Sequence, residues 1–167
     1  MILNVYYFMK NELIELKHIE LEIVNNRTHH FRSFIDQYFC YKNNYITKSG
    51  KANWSKIPWN EYVSIEANKT RDKKLVVEKE HIVPLKVIET KLLELGNKAT
   101  IESIKIVLDK YVKFATITKI EDKILNDKGL KSKMPNEFYD SEHELYEDLF
   151  ARYKIAKIEL INNKICT

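Results

Sequence analysis

The stretch KKLVVEKEHIVPLKVIETKLLEL, residues 73–95, decides the fold class of this chain. An apolar run at 75–77 predicts a short strand over 74–78. Pro84 suits the first position of a helix, because its missing N–H would have no partner there. The helix predicted over 84–95 carries an apolar face at helical spacing, made of Val87, Ile88, Leu92 and Leu95. A strand followed directly by a helix indicates a mixed fold.

The C-terminal half repeats this alternation. Thr100 predicts the cap of a second helix, and the run FATI at 114–117 predicts a strand. Thr118 and Glu121 form a capping box, which predicts a helix from Lys119. The same signature at Ser141 and Glu144 predicts a further helix, and residues 155–161 read as a closing strand. The side chains that this further helix is expected to bury are Leu145, Leu149, Phe150 and Tyr153.

The N-terminal half is predicted from weaker patterns. Residues 1–8 read as a strand, and residues 10–24 fit a strand or a helix. Residues 28–43 predict a helix with aromatic side chains on one face, and 59–67 predict a short one. The prediction is therefore an α+β fold, predominantly helical with a small β-sheet or hairpin. We expect 1–167 to form a single domain, with 1–50 as the one candidate for a helical subdomain.

Composition narrows the class of protein. Among 167 residues there are three glycines and three prolines, which disfavours a turn-rich all-β fold. The net charge of +4 permits contact with nucleic acid without requiring it. Cys40 and Cys166 lie far apart with no zinc-binding spacing, which favours a reduced, cytoplasmic setting. The N-terminal segment is too short an apolar run to predict a signal peptide or a membrane span.

The pair Glu80-His81, followed by Pro84, is the first candidate for chemistry. The segment EHIVP resembles the first half of the HNH, or ββα-metal, nuclease signature, and ATITKIEDKILN is similar to its second half. The resemblance implies that Glu80 and Asp122 bind Mg²⁺ or another divalent metal and that His81 is the catalytic base. A metal would stabilise charge on a phosphodiester, and a neutral imidazole can deprotonate water. The alternative is an ordinary boundary between elements.

This chain departs from that family's pattern in its spacing. Two predicted helices lie between Pro84 and the second segment, where the family usually has a short hairpin. Lys113 stands near the position of the family's central asparagine. The implied function is a metal-dependent HNH-like endonuclease acting on DNA, in restriction or phage defence. The alternative is a non-catalytic interaction protein, such as an inhibitor, immunity or regulatory factor, that binds a protein or nucleic acid.

Basic and aromatic side chains are the second candidate, as contacts for nucleic acid. Two groups of cations flank the predicted metal site and predict phosphate contacts. They are Lys69, Arg71, Lys73 and Lys74 before it and Lys128, Lys131 and Lys133 after it. Trp54, Trp59 and Tyr62 are candidates to stack on bases or to lie in the core.

Three further features have open alternatives. The acidic stretch 137–148 has six carboxylates and no lysine or arginine, so it predicts either a solvated surface or a docking site for a basic protein partner. His143, within it, is an exposed residue or a late metal ligand. His29 and His30 project about 100° apart on a helix, which favours surface or phosphate contacts over a shared metal.

Overall fold

The computed structural model describes residues 9–163, so the strand predicted over 1–8 lies outside the described residues. The helices are α1 (Asn11–Val24), α2 (Phe31–Lys42), α3 (Ile65–Thr70), α4 (Leu85–Leu93), α5 (Ile101–Tyr111), α6 (Lys119–Asp127) and α7 (Ala151–Ala156). The strands are β1 (Tyr62–Ser64), β2 (Val76–His81), β3 (Phe114–Thr118) and β4 (Leu160–Asn162). This mostly helical α+β architecture confirms the predicted fold class.

The four strands form one mixed sheet in the order β2-β3-β1-β4. β3 pairs antiparallel with β2 and parallel with β1, and β1 pairs antiparallel with β4. The central strand β3 is buried along most of its length, because helices cover both of its faces. The short strand β4 and the strand β2 are the two edges of the sheet.

The sheet separates two apolar clusters. Phe114 faces the larger cluster, which includes buried residues of α1, α2, α4 and α5. Ala115 and Ile117 face the smaller cluster, together with Leu125 of α6 and Tyr153 of α7. This division follows from the strand geometry, since successive side chains point to opposite faces.

A bulge in β2 sets which side chains face which cluster. Val77 pairs with Ile117, but Glu80, three residues later, pairs with Ala115, only two residues earlier in β3. One extra residue in β2 therefore moves Glu80 onto the same face as Val77. His81 pairs with Phe114 and points to the opposite face.

Local capping signals correctly predicted several elements. The helix expected over 84–95 is α4, with Pro84 as its cap rather than its first residue. Thr100 caps α5, and Thr118 and Glu121 form the predicted capping box at the start of α6. The Glu121 carboxylate accepts hydrogen bonds from the Thr118 backbone N–H at 2.7 Å and from the Ser64 hydroxyl at 2.6 Å. The ambiguous segment 10–24 is helical.

The helix predicted from the capping box at Ser141 and Glu144 is wrong, because residues 141–150 form successive turns and α7 begins at Ala151. Side chains here bond to nearby backbone instead. Asp140 accepts from Glu142 N–H at 3.0 Å, and the His143 imidazole accepts from Leu145 N–H at 3.1 Å. Such local bonds compete with a helix.

Two other predicted elements have different boundaries or types. The short helix predicted over 59–67 is divided between strand β1 and helix α3, because β1 pairs with both β3 and β4. The closing strand predicted over 155–161 begins later. Its first residues, up to Ala156, end α7 instead. In each case pairing with a distant strand sets the boundary, which local periodicity does not report.

Candidate functional site

Glu80 is held by a buried arginine. Arg152 of α7 is fully buried, and its Nη2 lies 2.6 Å from Glu80 Oε1. The same guanidinium donates to the backbone oxygens of Ile82 at 2.8 Å and Leu130 at 3.0 Å, and also to the His81 carbonyl. A buried guanidinium requires this many acceptors, since an unpaired charge would be costly. Glu80 is therefore part of a packed charge cluster.

Asp122 lies on the same side of the sheet as Glu80. The Tyr153 hydroxyl accepts a hydrogen bond from Arg152 Nη2 at 3.1 Å. Burial raises the pKa of this hydroxyl above its usual value, the negative charges of Glu80 and Asp122 add to the rise, and Arg152 opposes it. Asp122 itself accepts a bond from Asn126 Nδ2 at 3.3 Å. The two predicted metal ligands therefore share one neighbourhood, around Tyr153.

His81 lies on the other face of the sheet. Its side chain is only 7% exposed, and its ring centroid is 4.5 Å from that of Phe114. The Nε2 atom of His81 lies 3.2 Å from Oδ1 of Asp36 in α2. Because a carboxylate can only accept, the imidazole is the donor in this bond. The predicted base is thus bound to a carboxylate that is 45 residues away in sequence.

The residues of the predicted metal nuclease do not fit the arrangement that the resemblance implies. A base that acts on metal-bound water must lie on the same side as the metal, and the sheet separates His81 from Glu80. A cation at Glu80 would also adjoin the buried guanidinium of Arg152. Within residues 9–163, no three His, Cys, Asp or Glu side chains are grouped so as to hold a metal ion.

A surface cleft lies in front of Asp36, between the start of α2, the turn Trp54–Lys56 and the bulge of β2. Its volume is about 360 Å³. The side chains that line it are those of His29, His30, Arg32, Ser33, Asp36, Trp54 and Lys79. Two fixed cations, two imidazoles, an indole and one carboxylate therefore surround a single cavity.

The indole of the cleft is held in an exposed position. Trp54 begins the turn, and the Asn53 side chain caps it by accepting from Ser55 N–H at 3.2 Å. Trp54 remains 42% exposed, which is unusual for so large an apolar side chain. Lys79, in the bulge of β2, is also exposed and lines the same cleft.

The cations predicted as phosphate contacts all lie on the surface, but none of them lines the cleft. They are Lys69, Arg71, Lys73, Lys74, Lys128, Lys131 and Lys133. Lys69 pairs with Glu66 at 2.7 Å, and the Arg71 guanidinium lies over the Trp59 ring at 5.6 Å. The other five are exposed in the turn before β2 and in the segment after α6.

The remaining candidates have structural contacts. Trp59 packs against the small apolar cluster of Val63, Ala67 and Val76, and the Tyr62 ring contacts Phe150. The His143 imidazole accepts a backbone hydrogen bond, as described above. In the acidic stretch, Glu147 pairs with Lys110 at 2.7 Å and Asp148 pairs with Lys154 at 2.6 Å. A basic protein partner for 137–148 stays a prediction.

Sequence reasoning missed Arg152 and Asp36. Arg152 could have been noticed as the one cation in the otherwise apolar run LFARY, where a solvated residue would not be expected. Asp36 gives no comparable signal, because it occupies a polar position of a helix whose other residues already explain the pattern. Its role depends on His81, on a different element.

Comparisons with protein-family models, with curated proteins and with solved structures found no match to this chain. Among the helices of residues 9–163, none is long and apolar enough to cross a membrane. The cleft and the Arg152 cluster are the two polar arrangements that involve the neighbours of His81 and Glu80. They differ in shape, since the first is an open cavity and the second is centred on a fully buried guanidinium.

Proposed function

We propose that this protein binds single-stranded nucleic acid without cleaving it, and that the cleft in front of Asp36 is the binding site. This is the non-catalytic alternative of the sequence analysis. The observation that carries the proposal is that the exposed Trp54 indole lines the same cavity as the cations Arg32 and Lys79.

Each lining group has a matching part in a nucleotide. An exposed indole stacks on a base of any kind, which is the main sequence-independent contact of single-strand binders. Arg32 and Lys79 supply the charges that attract phosphate, and the N–H groups of His29 and His30 can donate to its oxygens. A duplex hides the faces of its bases, so stacking on Trp54 favours a single strand.

The seven surface cations outside the cleft extend this proposal. A strand longer than the nucleotides in the cleft would carry further phosphates over the surface. The groups at 69–74 and 128–133 are the candidates to meet them. Such outer contacts strengthen binding at low salt but are screened within about 10 Å at 0.1 M salt.

The test is a titration of fluorescein-labelled oligonucleotides, about twelve nucleotides long, followed by anisotropy and by quenching of tryptophan fluorescence, in which Trp54→Ala shows the share that comes from Trp59. The double variant Arg32→Ala/Lys79→Ala should weaken binding about tenfold or more at low salt. Its slope of log affinity against log salt should be less steep by about 1.4, since two phosphate contacts are lost. Trp54→Ala should lose about 1–3 kcal/mol of binding free energy.

The matched control removes the same charge elsewhere. Lys98 and Lys123 are exposed residues of other elements, so Lys98→Ala/Lys123→Ala changes the net charge equally. This variant should bind almost as the wild type does. Equal weakening by both double variants would mean diffuse attraction instead of a site, and the proposal would be wrong.

Metal-dependent cleavage, the other sequence prediction, is tested separately. Plasmid and single-stranded DNA are incubated with protein and Mg²⁺ or Mn²⁺. We expect no cleavage above that of a mock purification. Cleavage that the wild type performs and that both Glu80→Gln and His81→Ala abolish would reinstate the nuclease assignment and overturn the non-catalytic one.

A further inference from the structure

Among the side chains that line the cleft, Asp36 is the one that phosphate recognition does not explain. It is the carboxylate among the lining side chains, and it lies beside the cations that would hold a phosphate. A negative charge next to a phosphate costs binding free energy. Its presence therefore indicates that the ligand also offers a hydrogen-bond donor.

The geometry leaves one oxygen of Asp36 for that donor. Oδ1 accepts from the His81 imidazole at 3.2 Å. Oδ2 forms a long ion pair with Arg32, at 3.9 Å from Nε, and accepts no hydrogen bond among residues 9–163. The Asp36 side chain is 19% exposed and lines the cleft, so a ligand there can approach the carboxylate.

The imidazole holds this carboxylate in place. His81 is packed against Phe114 and is almost fully buried, so it has little room to turn away from Asp36. α2, which carries Asp36, also packs tightly on α1. A fixed acceptor loses little conformational freedom when a ligand binds, which makes its hydrogen bond more favourable.

We infer that Asp36 accepts a hydrogen bond from a ribose 2′-hydroxyl, so that the cleft selects single-stranded RNA over DNA. The inference rests on the proposed function and names the ligand more closely. Amino groups and ring N–H groups of the bases are the other donors of a nucleotide, but they differ from base to base. The 2′-hydroxyl is present on every ribonucleotide and is the group by which proteins distinguish RNA from DNA.

The size of the preference follows from one hydrogen bond to a charged acceptor. Such a bond is worth enough to change affinity about tenfold. DNA loses this bond and still meets the repulsion between Asp36 and its phosphates. We therefore expect a twelve-nucleotide oligouridine to bind about tenfold more tightly than oligodeoxyuridine of the same length, which has the same base.

The experiment changes the ligand before it changes the protein. Oligouridine, oligodeoxyuridine and 2′-O-methyl oligouridine are titrated against the wild-type chain at one salt concentration. The 2′-O-methyl strand keeps the substituent at the 2′ position but has no proton to donate. It should bind as weakly as the deoxy strand, and this comparison does not depend on any variant folding.

Asp36→Ala then tests the residue itself. It should weaken binding of oligouridine but leave oligodeoxyuridine unchanged or bound more tightly, because the variant removes both the acceptor and a repulsive charge. The ratio of the two affinities should fall to about one. A purely structural role for Asp36 would instead weaken both ligands equally, and that result would overturn the inference.

The outcomes separate the inference from the proposed function. Equal affinity for oligouridine and oligodeoxyuridine, with binding still lost in Arg32→Ala/Lys79→Ala, would overturn the ribose contact and leave the single-strand site in place. Tight binding of the 2′-O-methyl strand would also overturn the ribose contact, since it would trace the preference to strand shape. No binding of any strand would overturn both.

Discussion

Glu80 and His81 are adjacent in sequence, and each meets a charged partner, but on opposite faces of the sheet. Glu80 meets the fully buried Arg152, whose donors are shared among several backbone oxygens. His81 meets Asp36, which lines an open cleft and whose second carboxylate oxygen lies 3.9 Å from Arg32 Nε. The two carboxylates are almost equally exposed, at 20% for Glu80 and 19% for Asp36, but their partners differ. A buried guanidinium neutralises Glu80, whereas Asp36 accepts from an imidazole and lines a surface cleft.

The Arg152 cluster joins three distant pieces of chain. Its acceptors come from the end of β2, from the segment after α6 and, through the Tyr153 hydroxyl, from α7 itself. Removing the guanidinium would leave several buried acceptors without donors. We therefore regard this cluster as a determinant of stability and the Asp36–His81 pair as a determinant of binding.

The largest expected effect tests the Arg152 cluster. Arg152→Ala should lower the free energy of unfolding by about 3–5 kcal/mol, because it breaks a buried charge pair and leaves a cavity. Urea denaturation followed by circular dichroism measures this. Lys123→Ala, which removes an exposed cation from α6, is the control and should change stability little. A loss below about 1 kcal/mol would contradict the structural role of the cluster.

The next largest effect tests the Asp36–His81 pair. His81→Ala should lower the free energy of unfolding by about 2 kcal/mol, because it leaves a space beside Phe114 and removes the donor to Asp36. It should also lower the preference for oligouridine, since Asp36 is no longer held. His143→Ala removes an imidazole from the turns at 141–150 and should leave that preference unchanged. If His81→Ala kept the wild-type preference for oligouridine, His81 would stabilise the fold without positioning Asp36 for binding.

A smaller effect distinguishes the two faces directly. Glu80→Gln keeps an oxygen that can accept from Arg152, so we expect a loss of about 1 kcal/mol in the free energy of unfolding. Oligonucleotide affinity should stay at the wild-type value, because the sheet lies between Glu80 and the cleft. The oligonucleotide titration is carried out in the same way for Glu80→Gln and for His81→Ala. Weakened binding in Glu80→Gln with an unchanged unfolding midpoint would contradict the division between the faces.

The smallest effect concerns a carboxylate away from both sites. Burial raises the pKa of Asp109, but hydrogen bonds from Lys105, Lys42 and Tyr38 outweigh this and hold the pKa at about 2. Its contribution to stability is present above the unfolded-state pKa near 4 and is lost as the pH falls towards 2.

Asp109→Asn should therefore lower the melting temperature by about 2–4 °C at pH 7. The difference from the wild type should disappear near pH 2. Asp127→Asn is the control, since Asp127 forms one exposed pair, with Lys123. If the difference in melting temperature between the wild type and Asp109→Asn were the same at pH 7 and near pH 2, the charge of the Asp109 carboxylate would not contribute to stability.

Local sequence was sufficient for the elements with clear caps. Pro84, Thr100 and the Thr118–Glu121 box marked helices α4, α5 and α6, because a cap acts within three or four residues of itself. The identical signature at Ser141 failed because Asp140 and His143 bond to the backbone nearby. Equal local signals thus lead to different structures when other side chains compete for the same N–H groups.

The candidate site was accessible to sequence only in part. Trp54, His29 and His30 were recognised as possible contacts for nucleic acid, from their residue types alone. Asp36 and Arg152 were not, since their partners His81 and Glu80 lie 45 and 72 residues away. Side-chain periodicity reports the face of an element but not the element that will cover it.

The sequence by itself determined that this chain is α+β, where several helices start, and that a strand precedes Pro84, whereas the structure extends that strand to His81. Only the tertiary structure decided which face each of the two occupies, because one extra residue in β2 shifts its register against β3. That register brings Glu80 to Arg152 and His81 to Asp36. Strand register depends on pairing between distant segments, and local patterns do not encode it.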